Sequence, residues 1–186
     1  SESNPTIINT AMRSLSGYGS SEIGSILLQY LRKPSYRNTH AESAIAAMEK
    51  QDNPVFIMPI LETLMERKGL FSTRGMVNAL SSLAYLGRHQ DDKSMLLSFI
   101  AGRLQDPKSA VRSGAIRALA TLKDPKAIAI LEKWMSADSD SPEYKAAQTA
   151  ISTLRKMALP GEDLKGLRNK IQTMESDQKL MHTDLI

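Results

Sequence analysis

The chain contains no cysteine in 186 residues, so neither a disulfide framework nor a thiolate metal site can form within it. Aromatic residues are scarce at 5%, with a single tryptophan, although hydrophobic residues reach 41%. No run approaches the roughly 20 apolar residues that span a bilayer. The opening residues lack the charged, apolar and small-residue order of a signal peptide, and no address signal fixes a compartment. Ser1 stands where an initiating methionine would, and we read the chain as processed or excised from something longer.

Catalytic patterns are missing too. The three histidines, His40, His89 and His182, are far apart and none opens a His-Glu-x-x-His pair, so zinc-peptidase ligands are absent. Gly17-Tyr-Gly19 follows no strand and is no phosphate loop, and no Gly-x-Ser-x-Gly elbow occurs. Glu62/Glu66 and Asp91/Asp92 read as helix-surface or capping acids, and Trp134, beside Ile130 and Leu131, reads as core. No catalytic, cofactor-binding or metal-ligating residue is assigned, and no cofactor is expected.

Acidic charge is only slightly outweighed. The formal net charge is +4. Residues 1–104 carry eleven basic and nine acidic side chains, 105–160 nine and six, and 161–186 four and five. A thin, distributed excess of this kind is an ordinary solvated surface rather than a phosphate track.

What the chain does have is repetition. Ala11-Met-Arg-Ser-Leu15, Ala44-Ile-Ala-Ala-Met48, Ala79-Leu-Ser-Ser-Leu83, Ala115-Ile-Arg-Ala-Leu119 and Ala150-Ile-Ser-Thr-Leu154 echo one another. Their leading alanines lie 33, 35, 36 and 35 residues apart (44−11, 79−44, 115−79, 150−115). A nearly constant step marks a solenoid of stacked units. Helices packed about 8–10 Å apart leave little room at the contact, and a small residue there lets one helix lie on the next. Ala11, Ala44, Ala79, Ala115 and Ala150 are therefore expected at helix–helix contacts.

Each unit reads as a helical hairpin. Asp106-Pro107 opens a helix in which Val111, Ala115, Ile116, Leu119 and Leu122 form one apolar stripe. Asp106 is expected to cap it, with Pro107 in the first turn. Asp124-Pro125 restarts the pattern almost at once. The predicted pairs are 21–33/35–50, 53–68/72–86, 91–105/108–122 and 125–136/142–157, with Pro59 kinking the helix that follows Asn53-Pro54 and a loop over 136–141. Residues 1–158 thus divide into one half-repeat plus four helix pairs, and 159–186 into a linker and a last helix.

Two ends differ from the middle. Residues 4–17 form a second helix with no first helix before it, so Ile7, Ile8, Met12 and Leu15 are expected to leave part of an apolar face exposed for a protein partner or an upstream domain of the same polypeptide. After Pro160-Gly161, the residues Leu164, Leu167, Ile171, Met174, Gln178, Met181 and Leu185 follow steps of 3 and 4. That is a heptad seam. It suits a helix capping the solenoid, the alternative being a weak, concentration-dependent homodimer.

Asp106-Pro-x-x-x-Val-Arg112, Ala115-Ile-x-Ala-Leu119 and Asp124-Pro-x-Ala-Ile128 resemble HEAT repeats, especially their short bacterial form. The match covers 105–157 well and 35–104 less closely, where the Asp-Pro and Val-Arg pairing is absent. The resemblance implies an all-α, right-handed α-α superhelix of the HEAT/ARM type, with second helices on the inner, concave face and an amphipathic C-terminal helix. It implies that Asp106, Arg112 and Asp124 bond across turns and helices. It also implies a non-catalytic scaffold for protein–protein or domain–domain contacts.

Two further functions remain open. The order from Asn4 through the heptad tail resembles the helical C-terminal extension of bacterial aminopeptidase-N-like zinc peptidases, with the catalytic metal upstream of this chain. HEAT-like alkylpurine glycosylases would instead make it a DNA-binding protein. Against the latter, the arginines nearest each leading alanine sit at +2 (Arg13), −7 (Arg37), −5 (Arg74), and −3 and +2 (Arg112, Arg117). Only Arg13 and Arg117 share an offset, so the expectation is against a nucleic-acid partner.

Overall fold

In the computed structural model, residues 4–18, 20–136 and 141–158 are described. The described residues form nine α-helices and no strand: α1 (Pro5–Leu15), α2 (Ser21–Arg32), α3 (Thr39–Gln51), α4 (Ile57–Glu66), α5 (Thr73–Gly87), α6 (Ser94–Gly102), α7 (Ser109–Leu122), α8 (Lys126–Glu132) and α9 (Pro142–Ala158). Among the described residues no helix precedes α1. The others pair in order, α2 with α3, α4 with α5, α6 with α7 and α8 with α9. The second helices stack in sequence, α1 on α3, α3 on α5, α5 on α7 and α7 on α9. The chain is an all-α solenoid. The heptad seam from Leu164 to Leu185 lies outside the described residues.

The first helices are shorter than expected because their ends tighten. Short 3₁₀ segments occupy Pro54–Phe56, Lys68–Leu70, Arg103–Gln105 and Lys133–Ser136, as is common where helix ends must satisfy orphan carbonyls within a tight turn. Pro59 does not kink a long helix. It stands in the first turn of α4, after the 3₁₀ segment, where its missing N–H costs no ladder bond. Thr63 Oγ1 donates to the Pro59 carbonyl at 2.9 Å. The second helix expected from Ser35 begins instead at Thr39, because Arg37 and Asn38 adopt left-handed backbone (φ 50° and 54°). Ser35 still contributes: its Oγ accepts the His40 N–H at 3.0 Å.

Asp106 lies two residues farther from its helix than expected. Its carboxylate accepts the Lys108 N–H at 3.0 Å in a local Asx turn, while Lys108 holds the cap position of α7 without a side-chain bond. Asp124 makes the same turn with Lys126 N–H at 2.9 Å. The two Asp-Pro corners are therefore built alike.

One continuous apolar core runs between the two layers of helices. Leu27, Leu31, Ile60, Leu64, Ile100 and Leu131 from the first helices meet Ile45, Met48, Leu80, Leu83, Ile116, Leu119, Ile151 and Leu154 from the second. Ala44, Ala79, Ala115 and Ala150 are buried within it, and Trp134 packs half-buried at its edge. Ala11 is exposed. In α1 the buried side chains are Ile8 and Met12, at the same distances from the leading alanine as buried Ala41 and Ile45 of α3, and Leu15 is half-buried. Ile7 remains open at 51%.

Close approach between helices rests on three glycines, and a Cβ on Gly75 of α5 would fall on the Glu42 carboxylate of α3. A Cβ on Gly114 would meet both methyls of Val77 at 3.0 Å, so α7 rests directly on α5. A Cβ on Gly87 would lie 2.2 Å from Leu96 Cδ1.

Candidate interaction surface

Polar side chains fasten each unit to the next at separations close to the repeat length. Gln51 Nε2 donates to the Tyr18 carbonyl at 3.1 Å, and Arg67 Nη2 to the Arg32 carbonyl. The Glu42 carboxylate accepts Ser72 Oγ at 2.9 Å, and Ser72 Oγ in turn accepts the Gly75 N–H as the cap of α5. Ser82 donates to Glu49. Arg88 grips Asp52 through both guanidinium ends at 2.7 and 2.6 Å. This hydrogen bonding, ahead of the charge itself, holds the Asp52 carboxyl below the usual carboxylate range.

A second charged clamp, on a buried carboxylate, joins α7 to α9. Arg112 Nε and Nη2 reach Glu143 Oε1 at 3.1 and 2.7 Å, while Nη1 donates to the Asp106 and Pro107 carbonyls at 2.9 and 3.0 Å. One guanidinium thus ties the Asp-Pro corner of its own unit to the helix start of the following one. Glu143 is buried, and its proton affinity is lowered first by the Ser109 hydroxyl, then by its own helix backbone and by Arg112. The family-like positions Asp106, Arg112 and Asp124 are all fully occupied by structure.

With Glu42, Glu49, Asp52 and Glu143 engaged in these links, the outward stripe of the second helices holds no acid. The stripe follows from helix geometry. Relative to each leading alanine, offsets −5, −1, +2 and +6 fall on one face, because seven residues make about two turns. It comprises Thr6, Thr10 and Arg13 on α1, and Thr39, Ser43, Ala46 and Lys50 on α3. Arg74, Asn78, Ser81 and Tyr85 continue it on α5, Ala110, Gly114, Arg117 and Thr121 on α7, and Lys145, Thr149, Ser152 and Lys156 on α9. All are exposed or half-buried except Gly114, where α7 meets Val77.

Its charged members are all cationic: Arg13, Lys50, Arg74, Arg117, Lys145 and Lys156. None of the six forms an ion pair with a described residue. An equal offset is a stricter criterion than a helix imposes, and counting arginine alone omits three lysines. Offsets of −5, +2 and +6 would have exposed the stripe in the sequence itself.

The stripe is indented between α7 and α9. Arg117, Ala120, Lys145, Ala146, Thr149, Ala150 and Thr153 line an open groove of about 370 Å³. Its floor is methyl groups, and its cations come from both helices. Thr149 and Thr153 donate their hydroxyl protons to carbonyls one turn back, at 3.0 and 2.9 Å, leaving only acceptor lone pairs outward. The groove thus sets two cations beside an apolar floor, and its lining holds no nucleophile–base pair.

Elsewhere the described residues form no reactive constellation. Among the described residues no three His, Asp or Glu side chains gather as a metal site, and no helix is long and apolar enough to cross a membrane. His40 is buried edge-on to Tyr30 at 5.7 Å, with its Nδ1 unpartnered; burial first, and Lys33 second, depress its basicity. It belongs to the core.

Residues 75–158 match the family model described as HEAT repeats. No curated protein and no solved structure matches the chain. The match begins within α5 and ends with α9, the part where the Asp-Pro corners and the Arg112 clamp occur. The match and the helix pairing together support a HEAT-like repeat character for residues 75–158, within the all-α solenoid of the described residues.

Proposed function

We propose that this HEAT-like repeat protein is a non-catalytic scaffold that binds another protein along the exposed stripe of its second helices. The carrying observation is the stripe itself. Acids near it are committed to joints between units, whereas its six cations have no ion pair with a described residue, and apart from Tyr85 its remaining side chains are small and mostly hydroxylic. A surface of that kind offers a regular array of contacts without a cavity for turnover. Repeat proteins commonly bind through such extended faces.

A second reading places the chain as an accessory domain beside an upstream catalytic one, as in aminopeptidase-N-like peptidases. The exposed Ile7 on α1 favours a covered contact there.

Site-specific photo-crosslinking separates the two. A photoreactive residue at Ser81 or Ser152 samples the stripe, one at Glu62 or Ser98 samples the first helices, and one at Ile7 samples α1. The scaffold reading expects a protein adduct of one discrete mass from positions 81 and 152 and none from 62 and 98. Adducts from position 7 alone would favour the accessory domain. Equal labelling of both faces would defeat both readings.

A further inference from the structure

The groove between α7 and α9 carries the inference furthest. We infer that it receives an acidic amphipathic peptide segment of the partner, with an apolar side chain on the alanine floor and carboxylates paired to Arg117 and Lys145. The inference rests on the scaffold reading and specifies the chemistry of its partner.

Three observations support this occupant. Arg117 and Lys145 approach one groove from different helices, and neither has a counter-ion among the described residues. Opposite charge is what such a pair selects. Ala120, Ala146 and Ala150 supply an apolar floor, which a phosphate backbone alone would leave unused.

The third observation concerns nucleic acid. Duplex DNA presents one charge per about 1.7 Å of axis, but here cations come singly or in pairs on helices about 8–10 Å apart. Single strands gain much of their affinity by stacking on aromatic rings. Tyr85 is the one aromatic residue on the stripe, and the Arg88 guanidinium already lies 3.6 Å from its ring centroid. The surface therefore suits carboxylates spaced by uncharged residues better than a continuous phosphate chain.

The test uses the full chain and fluorescence anisotropy with defined probes. One probe is a short peptide carrying leucine between glutamate and aspartate residues; another replaces those acids with glutamine and asparagine. Single-stranded and duplex DNA of similar length complete the set. The acidic peptide should bind, weaken as salt is raised, and lose about fivefold or more in affinity with Arg117→Glu or Lys145→Glu.

Lys126→Glu removes the same charge from exposed α8, away from the groove, and should change binding by less than about twofold. Equal weakening by Lys126→Glu would reduce the effect to net charge and overturn the groove. Tighter binding of either DNA would overturn the peptide in favour of nucleic acid. Failure of the acidic peptide, with crosslinking from positions 81 and 152 intact, would overturn the acidic chemistry and leave the scaffold standing. Loss of both would remove the scaffold as well.

Discussion

At the scale of single residues, Arg112 does the work of several. It satisfies two carbonyls at its own corner and neutralises a buried carboxylate from the next unit. Arg112→Ala would leave Glu143 charged, buried and short of donors, and should destabilise the fold by about 2–3 kcal/mol in urea denaturation. The same carboxylate sets an acid limit. Folded Glu143 holds its proton less tightly than the unfolded chain does. Its contribution is therefore complete above the unfolded pKa of about 4.3 and disappears as pH falls through the lower folded value. Glu143→Gln should flatten that part of the stability–pH curve; an unchanged acid slope would show that other groups govern it.

Between elements, helix spacing is decided by what the second helices omit at their contacts. Gly87→Ala would gain up to about 1 kcal/mol of helix propensity, but its Cβ would strike Leu96 at 2.2 Å and press Leu122 at 3.2 Å. Overpacking costs about 1–3 kcal/mol, so the net effect should be a lower thermal midpoint. Gly102 closes α6 with φ −59°, and a Cβ there meets nothing within 4 Å. Gly102→Ala should therefore raise the midpoint, by about 0.4–1 kcal/mol of stability. Midpoints moving in the same direction would contradict this packing.

The helices themselves were largely legible from the sequence. Apolar periodicity with Asp-Pro punctuation located α7 and α9 to within a residue at each end. Apolar periodicity carries no signal for the left-handed backbone of Arg37 and Asn38, or for the 3₁₀ turns at the first helices' ends. The inter-unit bonds were hidden for a similar reason: Glu42, Glu49 and Asp52 have no sequence motif, and only stacking brings Ser72, Ser82 and Arg88 to them. The basic stripe was readable, but through helical angle rather than identical offset.

For the whole molecule, protection should follow position in the stack. Helices α5 and α7 each have a second helix on both sides and a first helix behind, whereas α1 packs chiefly on α3. Amide hydrogen exchange should be slowest in α5 and α7 and fastest in α1; equal protection of α1 would mean that its exposed Ile7 face is covered in solution. The joints differ as well. At the α1 end a neutral bond runs from Gln51 to the Tyr18 carbonyl, whereas Arg88–Asp52 and Arg112–Glu143 are charged clamps farther along. Under tension the chain is thus a spring of unequal coils. A partner that pulls on it would open the softer coil first and leave the clamped coils holding the load.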